Sequence, residues 1–310
     1  MTRLVAYERL STLLGVDLRV KHDDDLPGPG GGNKLRKVGR ILEGVTAKGT
    51  DSLVTTGGTQ SNLARVVALV AARRGWPCHL VLHGAPAALA RPTGNLLLML
   101  LAGAHVTIGP PDTIPLRLEE AIGSLRQSRN RPLLIPGGGH CLEGALAYVE
   151  AVREVAQQSS GWVPDLIVLA SGTGATQAGI VAGCASLGWS TKVVGISVGR
   201  PNPRGARAVR EMCGEVAGAL DLPEGQLGVD FRDEWVGAGY GHADERVLEA
   251  IRMAAREEAL VLDPTYTGKA FLGLLDLIKA GEVKAGTSIL FWHTGGIMNL
   301  LAQAFPSQGP

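Results

Sequence analysis

Lys34 stands two residues behind the glycine-rich stretch Gly28-Pro29-Gly30-Gly31-Gly32 and is followed at once by Leu35, Arg36 and Lys37. Lysine is scarce here, eight against 22 arginines, so a pair of lysines around one arginine carries information. Such a basic cluster is ordinarily a solvated face. The chemical alternative sets Lys34 against an aldehyde or a phosphate, where desolvation lowers its proton affinity and makes the amine a nucleophile. A second segment, Ala170-Ser171-Gly172-Thr173-Gly174-Ala175-Thr176, follows an apolar run and opens a helical pattern. Its glycines permit close backbone approach, and the N–H groups of a first helical turn converge on one point, which suits a phosphate. No Gly-Lys-Ser/Thr follows, so it is not a Walker loop, and the spacing after Gly174 departs from the dinucleotide fingerprint. An ordinary strand-to-helix turn is the other reading.

Thr59, Gln60, Ser61 and Asn62 close a third glycine turn, Thr55-Thr56-Gly57-Gly58, again where a helix starts. Small polar side chains at a helix N-terminus either bind a carboxylate or simply cap the helix. Two further segments complete the set: Asp263-Pro264-Thr265-Tyr266-Thr267-Gly268-Lys269 and Trp292-His293-Thr294-Gly295-Gly296. Taken alone, Tyr266 reads as core and His293 as a hydrogen-bonded interior histidine. Together the segments outline a polar pocket with a phosphate cradle, a reactive amine and an aromatic plate.

The elements that must position these groups alternate in type. Strand patterns cover Ser52–Thr56, His79–His83, Leu133–Ile135, Leu166–Ala170, Val193–Val198, Leu260–Leu262 and Ile289–Trp292. Helical patterns cover Ser61–Arg74, Thr93–Ala102, Leu142–Gln157, Thr176–Ser186, Arg204–Ala219, Ala243–Glu258, Gly268–Ala280 and Ile297–Ala304. Alternation of this kind predicts an α/β fold, and the continuously apolar strands predict parallel sheets covered on both faces. Ligands of such folds bind beyond the carboxyl ends of the strands, where the glycine turns fall. Boundaries at the glycine run and at the polar Gln157–Pro164 connector divide the chain into residues 40–150 and residues 1–39 plus 151–310, with a cleft between them. No repeat is evident at a period of about 20–50 residues.

Composition narrows the function. The 310 residues carry 45% apolar and 19% charged side chains, which is globular usage and excludes disorder. Thirty Lys+Arg against 29 Asp+Glu leave a net charge of +1, so no overall field draws nucleic acid or an anionic membrane. The longest apolar stretch, near Leu96–Ala104, is about half the length that a membrane-spanning helix of roughly 20 residues requires. The first residues lack a secretory apolar block, so a cytoplasmic location is expected. Four cysteines without a CxxC pair predict reduced core thiols, with neither a metal site nor a disulfide framework.

These segments, with Lys21-His22-Asp23-Asp24, Gly174-Ala175-Thr176-Gln177-Ala178-Gly179 and Gly239-Tyr240-Gly241 in the same order, resemble nearly end to end the fold type II pyridoxal-phosphate enzymes. The group resembled contains aminocyclopropane-carboxylate deaminase and D-cysteine desulfhydrase. The resemblance implies a two-domain, tryptophan-synthase-β-like α/β fold and pyridoxal 5'-phosphate as cofactor. It further implies that Lys34 forms the internal Schiff base and moves the α-proton, and that Lys37 with Gly172, Thr173, Gly174, Ala175 and Thr176 holds the phosphate. By the same resemblance Asn62 contacts the pyridine hydroxyl and Thr294 the ring nitrogen, while Tyr266 stacks on the ring. Thr59, Gln60, Ser61 and Asn62 would bind the substrate, with Ser61 also an acid/base group, and Tyr240 would offer a second hydroxyl. A small amino-acid substrate and a homodimer are implied as well.

The chain departs from the family pattern at several positions. Leu63 and Gln177 stand where histidine is usual, Ala175 replaces a glycine, and Pro136-Gly137-Gly138-Gly139-His140-Cys141 differs from a Gly-Gly-Ser form. Ring-opening deaminases resemble this chain but carry a glutamate after the stacking tyrosine, where Thr267 stands here. A threonine hydroxyl at the ring nitrogen makes a weaker electron sink than a carboxylate, which suits a β-substituent that leaves with its electrons. The resemblance therefore implies an α,β-eliminating lyase of the D-cysteine desulfhydrase kind, giving pyruvate, ammonia and sulfide. The alternatives are an aminocyclopropane-carboxylate deaminase, a β-replacement enzyme, and a non-catalytic cofactor- or metabolite-binding protein.

Overall fold

A parallel strand covered on both faces must be apolar at nearly every position, and Leu166–Ser171 is buried at all six. In the computed structural model, which describes residues 1–43, 45, 49–223 and 227–303, the strands are β1 (Leu4–Ala6), β2 (Asp17–His22), β3 (Ser52–Gly58), β4 (Cys78–His83), β5 (His105–Gly109), β6 (Pro132–Ile135), β7 (Leu166–Ser171), β8 (Lys192–Ser197), β9 (Asp230–Arg232) and β10 (Ser288–His293). The α-helices are α1 (Glu8–Leu14), α2 (Asn33–Glu43), α3 (Asn62–Arg74), α4 (Gly94–Leu101), α5 (Ile114–Gln127), α6 (Leu142–Gln158), α7 (Ala175–Ser186), α8 (Arg204–Ala219), α9 (Glu245–Glu258), α10 (Thr267–Lys279) and α11 (Ile297–Leu301). The chain is an α/β protein of two units, Met1–Lys37 with His140–Ile297, and Val38–Gly139 with Met298–Pro310.

The larger unit carries a six-stranded sheet in the order β1-β2-β10-β7-β8-β9. Only the β1–β2 pair is antiparallel. Side chains alternate between its faces: Leu166, Val168 and Ala170 join one core with α1, α9 and α10, while Ile167 and Leu169 join another with α6, α7 and α8. The smaller unit carries a parallel sheet in the order β5-β4-β3-β6, with Val54 and Val81 packed on Ile114, Ala121 and Leu125 of α5.

The smaller unit ends at Gly139 rather than near residue 150. Helix α6 is the cause: Ala145, Val149 and Val152 pack into a core of the larger unit, so the helix belongs there whole. The residues from Met298 on go with the smaller unit. Leu260–Leu262 is not a strand. Leu260 and Leu262 are buried and Val261 is 45% exposed, so the alternation is real, but the segment pairs with no strand among the described residues. The last helix ends at Leu301, and Ala304 of the expected span lies outside the described residues. Helix α2 and strand β2, neither of which the sequence pattern marks, carry the groups that matter most below. No helix among the described residues is long and apolar enough to cross a membrane. All four cysteines are free, three of them buried, and Cys141 is half-buried.

Candidate functional site

Strand β2 leads through Asp23-Asp24-Asp25 into the glycine run, which turns the chain into α2. Gly31 has φ +46°, and a Cβ there would stand 1.9 Å from the carbonyl oxygen of Asp24. No larger residue fits without moving the backbone. The Gly32 N–H donates to the Asp23 carbonyl at 2.9 Å, and the Asn33 N–H donates to the Thr294 carbonyl at 2.9 Å. Asn33 Nδ2 then donates to Thr176 Oγ1 at 3.2 Å. The peptide before Lys34 is thus tied to the end of β10 and to the first turn of α7. We expect Gly31→Ala to destabilise the protein by about 2–3 kcal/mol, a backbone-strain effect, measured as the shift of the chemical denaturation midpoint.

On its other side α2 is anchored by ions. Arg36 Nε donates to Asp23 Oδ1 at 2.7 Å and its Nη1 to Glu154 Oε2 at 2.8 Å. Tyr148 and Trp292 Nε1 both donate to Asp23 Oδ2, at 2.5 and 2.9 Å. Lys21, fully buried, donates to Glu154 at 2.6 Å and to the Thr2 carbonyl at 2.8 Å. The Lys21-His22-Asp23-Asp24 motif is therefore the mount of the helix that bears Lys34. His22, Asp24 and Asp25 place donor atoms within 4.8 Å of one another. Asp24 already pairs with His22, and Asp25 with Arg3 in a two-point contact.

Lys34 is half-buried, and burial pushes its amine down to about 8. Lys37 is 1% exposed; burial, then the charge of Lys34, holds it well below the usual lysine value. Nearby, β7 passes into α7 through Gly172-Thr173-Gly174. Gly174 is left-handed at φ +103°, and a Cβ there would press on Val209 at 3.1 Å. The Arg200 guanidinium donates to the Thr173 carbonyl at 3.2 Å. Burial and the charges of Lys37, Arg200 and Lys34 push His140 down to about 4. Among the described residues, Ser171 Oγ and His140 Nδ1 are buried with no hydrogen-bond partner.

The aromatic part of the site is built on Asp263. Its buried carboxylate accepts from the N–H groups of Thr265 and Tyr266 at 3.0 Å each, and from Thr267 N–H and Oγ1 at 2.8 Å each. Burial raises this carboxyl to about 6, although those hydrogen bonds pull the other way. Gly296, at φ +122°, lies so close that a Cβ would meet the Asp263 Cγ at 2.4 Å. The hydroxyls of Tyr266 and Tyr240 bond to each other, their rings edge to face with centroids 5.8 Å apart. Lys269 Nζ holds the Tyr240 loop by donating to the carbonyls of Val236 and Gly239 at 2.8 and 2.9 Å. Tyr240 also lies on Gly199, where a Cβ would approach within 2.8 Å. The contacts close a circuit, from Asn33 to Thr294, Gly296 to Asp263, Tyr266 to Tyr240, Gly199 to Arg200, and Thr173 to Thr176.

In the smaller unit, β3 ends in the Gly57-Gly58-Thr59-Gln60 turn. Ser61 caps α3, its Oγ accepting from Ala64 N–H at 3.2 Å, and a Cβ on Gly57 would fall 2.5 Å from that Oγ. Asn95, fully buried, braces the turn. Its Nδ2 donates to the Gln60 carbonyl at 2.9 Å and to Asn62 Oδ1 at 3.0 Å, and its Oδ1 accepts from Arg65 Nε at 2.6 Å. The Gln60 side chain bonds at both ends to the start of α4, accepting from Asn95 N–H at 2.9 Å and donating to the Thr93 carbonyl at 3.0 Å.

Lys34, Lys37, Gly172–Thr176, Tyr240, Tyr266 and Thr294 thus belong to the larger unit, and Thr59–Asn62 to the smaller. The sequence does not single out His140, Ser171, Arg200, Asp263 or Asn95, although Asp263, His140 and Ser171 stand inside segments it marks. Leu63 is buried core, and Gln177 Nε2 donates to the Asp230 carbonyl at 2.7 Å, so both replacements of the usual histidine serve packing. The larger unit's donors fit pyridoxal phosphate. An amine of lowered proton affinity matches its aldehyde, glycine-bared N–H groups and the unpaired Ser171 Oγ and His140 Nδ1 match its phosphate, and an aromatic face matches its ring.

Comparison with known proteins agrees. The sequence pattern of pyridoxal-phosphate dependent enzymes matches residues 1–295. D-cysteine desulfhydrase of Klebsiella pneumoniae is 36% identical over 97% of this chain and 93% of its own length. A putative 1-aminocyclopropane-1-carboxylate deaminase of Pyrococcus furiosus is 38% identical over 93% of this chain and 87% of its own. The crystal structure of an aminocyclopropane-carboxylate deaminase homologue superposes with a TM-score of 0.87 at 35% identity, over 97% of this chain and 90% of that one. A hydrogen sulfide-producing enzyme of Fusobacterium nucleatum, 17% identical with a TM-score of 0.69 over 95% of this chain and 94% of its own, shares the fold. With its amine, cradle and aromatic plate carried by one unit and its sequence matched almost throughout, the chain belongs to the family of pyridoxal-phosphate dependent enzymes.

Proposed function

We propose that the protein is a lyase that removes a β-leaving group from a small amino acid by α,β-elimination, with D-cysteine converted to pyruvate, ammonia and sulfide. The observation that carries this over ring opening is Thr267. It follows Tyr266, is fully buried, and its hydroxyl donates to Asp263 at 2.8 Å, so no carboxylate stands at the position where the resembled deaminases carry a glutamate.

Pyridoxal phosphate supplies an aldehyde for the substrate amine and an electron sink for the bond to the α-carbon. Lys37 and the N–H groups at Gly172–Thr176 would hold the phosphate, Thr294 and Asn62 would contact the ring, and Tyr266 would pack against it. Lys34 would move the α-proton, its amine lowered by burial to about 8 and so far easier to deprotonate than an ordinary lysine. The paired hydroxyls of Tyr240 and Tyr266 protonate the departing group. The N-terminus of α3 with Thr59 and Ser61 binds the substrate carboxylate, the Gln60 side chain serving α4 instead. We further propose a cytoplasmic homodimer, which would cover the exposed Leu97, Leu101 and Leu301 of the smaller unit.

A second reading, aminocyclopropane-carboxylate ring opening, is favoured by the likeness to the Pyrococcus relative. A screen of D- and L-amino acids bearing β-leaving groups separates the readings. We expect D-cysteine to perturb the visible cofactor band and release pyruvate and sulfide together. Faster release of ketobutyrate from the cyclopropane amino acid would select the second reading instead.

A further inference from the structure

Helices α6 and α7 run side by side in one sense. Gly179 of α7 lies on Ala145 of α6, and Gly183 lies on Val149; added Cβ atoms would clash with α6 at 2.1 Å from the Ala145 carbonyl oxygen and 2.8 Å from Val152. The offset is the same in both pairs. Carried back to the start of the helices, it sets Cys141, the N-cap of α6, level with Ala175, and His140 level with Gly174, the N-cap of α7. Two helix N-termini, of 17 and 12 residues, therefore open side by side at the cradle. Their positive ends add to Lys37 and Arg200.

His140 directly precedes the N-cap of α6. Its Nδ1 is buried with no partner among the described residues, a ring nitrogen that costs stability until it is paired. The side chains whose charges act on it are all basic, Lys37, Arg200 and Lys34. A neighbourhood of basic side chains and an unpaired ring nitrogen, protonated at Nδ1 in one of its tautomers, suit an anion with several acceptor oxygens. The glycine turn Pro136–Gly139 that delivers the histidine is also where the chain leaves its family's pattern. We propose that His140 is a further ligand of the tetrahedral oxyanion in the Gly172–Thr176 cradle, donating from Nδ1 to the cofactor phosphate.

This inference rests on the reading that the cradle holds that phosphate, and the full-length protein tests the two separately. Formation of the visible band with pyridoxal phosphate reports the reading itself. The affinity ratio between pyridoxal phosphate and pyridoxal, which lacks the phosphate, reports His140. We expect His140→Ala to weaken pyridoxal phosphate about tenfold and to leave pyridoxal unchanged. His140→Asn, which places an amide N–H near the Nδ1 position, should recover most of the loss. In parallel, the imidazole NMR titration of His140 should move upward with pyridoxal phosphate and stay put with pyridoxal, because a bound anion favours the protonated ring. Equal affinity ratios in wild type and His140→Ala, with the visible band intact, would overturn the inference alone. Movement of the His140 signal only on adding a sulfonated amino acid would also overturn it, placing the anion on the substrate.

Discussion

Lys34→Ala protein will take up no covalently held cofactor, show no visible band, and turn over substrate about 10⁴-fold more slowly or less, the upper range for a positioned acid–base group. The size of the effect follows from the double role proposed for one nitrogen, as anchor for the aldehyde and carrier of the α-proton. Burial keeps the amine at about 8 against an ordinary 10.5. The charged form is the one that burial disfavours, so the neutral nucleophile becomes abundant well below the ordinary lysine value. Stripped wild-type protein should accordingly capture pyridoxal phosphate faster as pH rises, levelling off above about 8, as followed by stopped-flow absorbance. Borohydride reduction and peptide mapping give the independent check. Label at Lys34 is expected, and label at any other position would remove the mechanism. Thermal melting of the variant should stay near wild type, because Arg36 on the same helix carries the ion pairs that mount α2.

The parts of this design that lie within one short stretch are legible in the amino-acid sequence. Leu166–Ser171 is apolar throughout because both faces are covered, and the glycine turn after it announces a ligand-facing end. The groups that depend on distant partners are not. Strand β2 does not stand out because Arg19 and Lys21 interrupt its apolar pattern, and nothing local says that Lys21 is buried against Glu154, 133 residues away. Helix α2 hides behind its glycines, and its basic residues resemble a solvated face until Asp23 and Glu154 are seen on Arg36. Leu260–Leu262 shows the converse. Its alternating burial is that of a strand, yet strandhood requires a ladder partner that sequence does not display. Gln60 reads as facing substrate, and only the position of Asn95 and Thr93 reveals that its amide is engaged with α4. His140 lies in a segment that is unusual for the family, but its idle Nδ1 is a property of three-dimensional surroundings.

Removing the Asp23 carboxylate should cost about 3–5 kcal/mol of stability, the range for breaking a buried ion pair from one side. Asp23 is fully buried and accepts from four residues at once, Arg36, Tyr148, Trp292 and, at 3.5 Å, Thr2. Asp23→Ala leaves a guanidinium, a phenol and an indole N–H short of an acceptor in a place water does not reach. Asp23→Asn keeps one acceptor oxygen and should lose less. The cost will appear in function too, since Arg36 and Lys34 share the first turns of α2. A loosened mount should weaken pyridoxal phosphate binding even at temperatures where the variant stays folded. The same network sets the acid limit. Hydrogen bonds from Arg36 and Lys21 outweigh the effect of burial and hold the Glu154 carboxyl at about 2, below its ordinary 4.5. A carboxyl depressed on folding stabilises the native state fully above its unfolded value and less as protons return. Stability should therefore fall between about pH 4.5 and 2, and Glu154→Gln should start lower and show a shallower decline. Equal denaturation midpoints for wild type and Asp23→Ala would mean that α2 is held by packing alone, with the ions as bystanders.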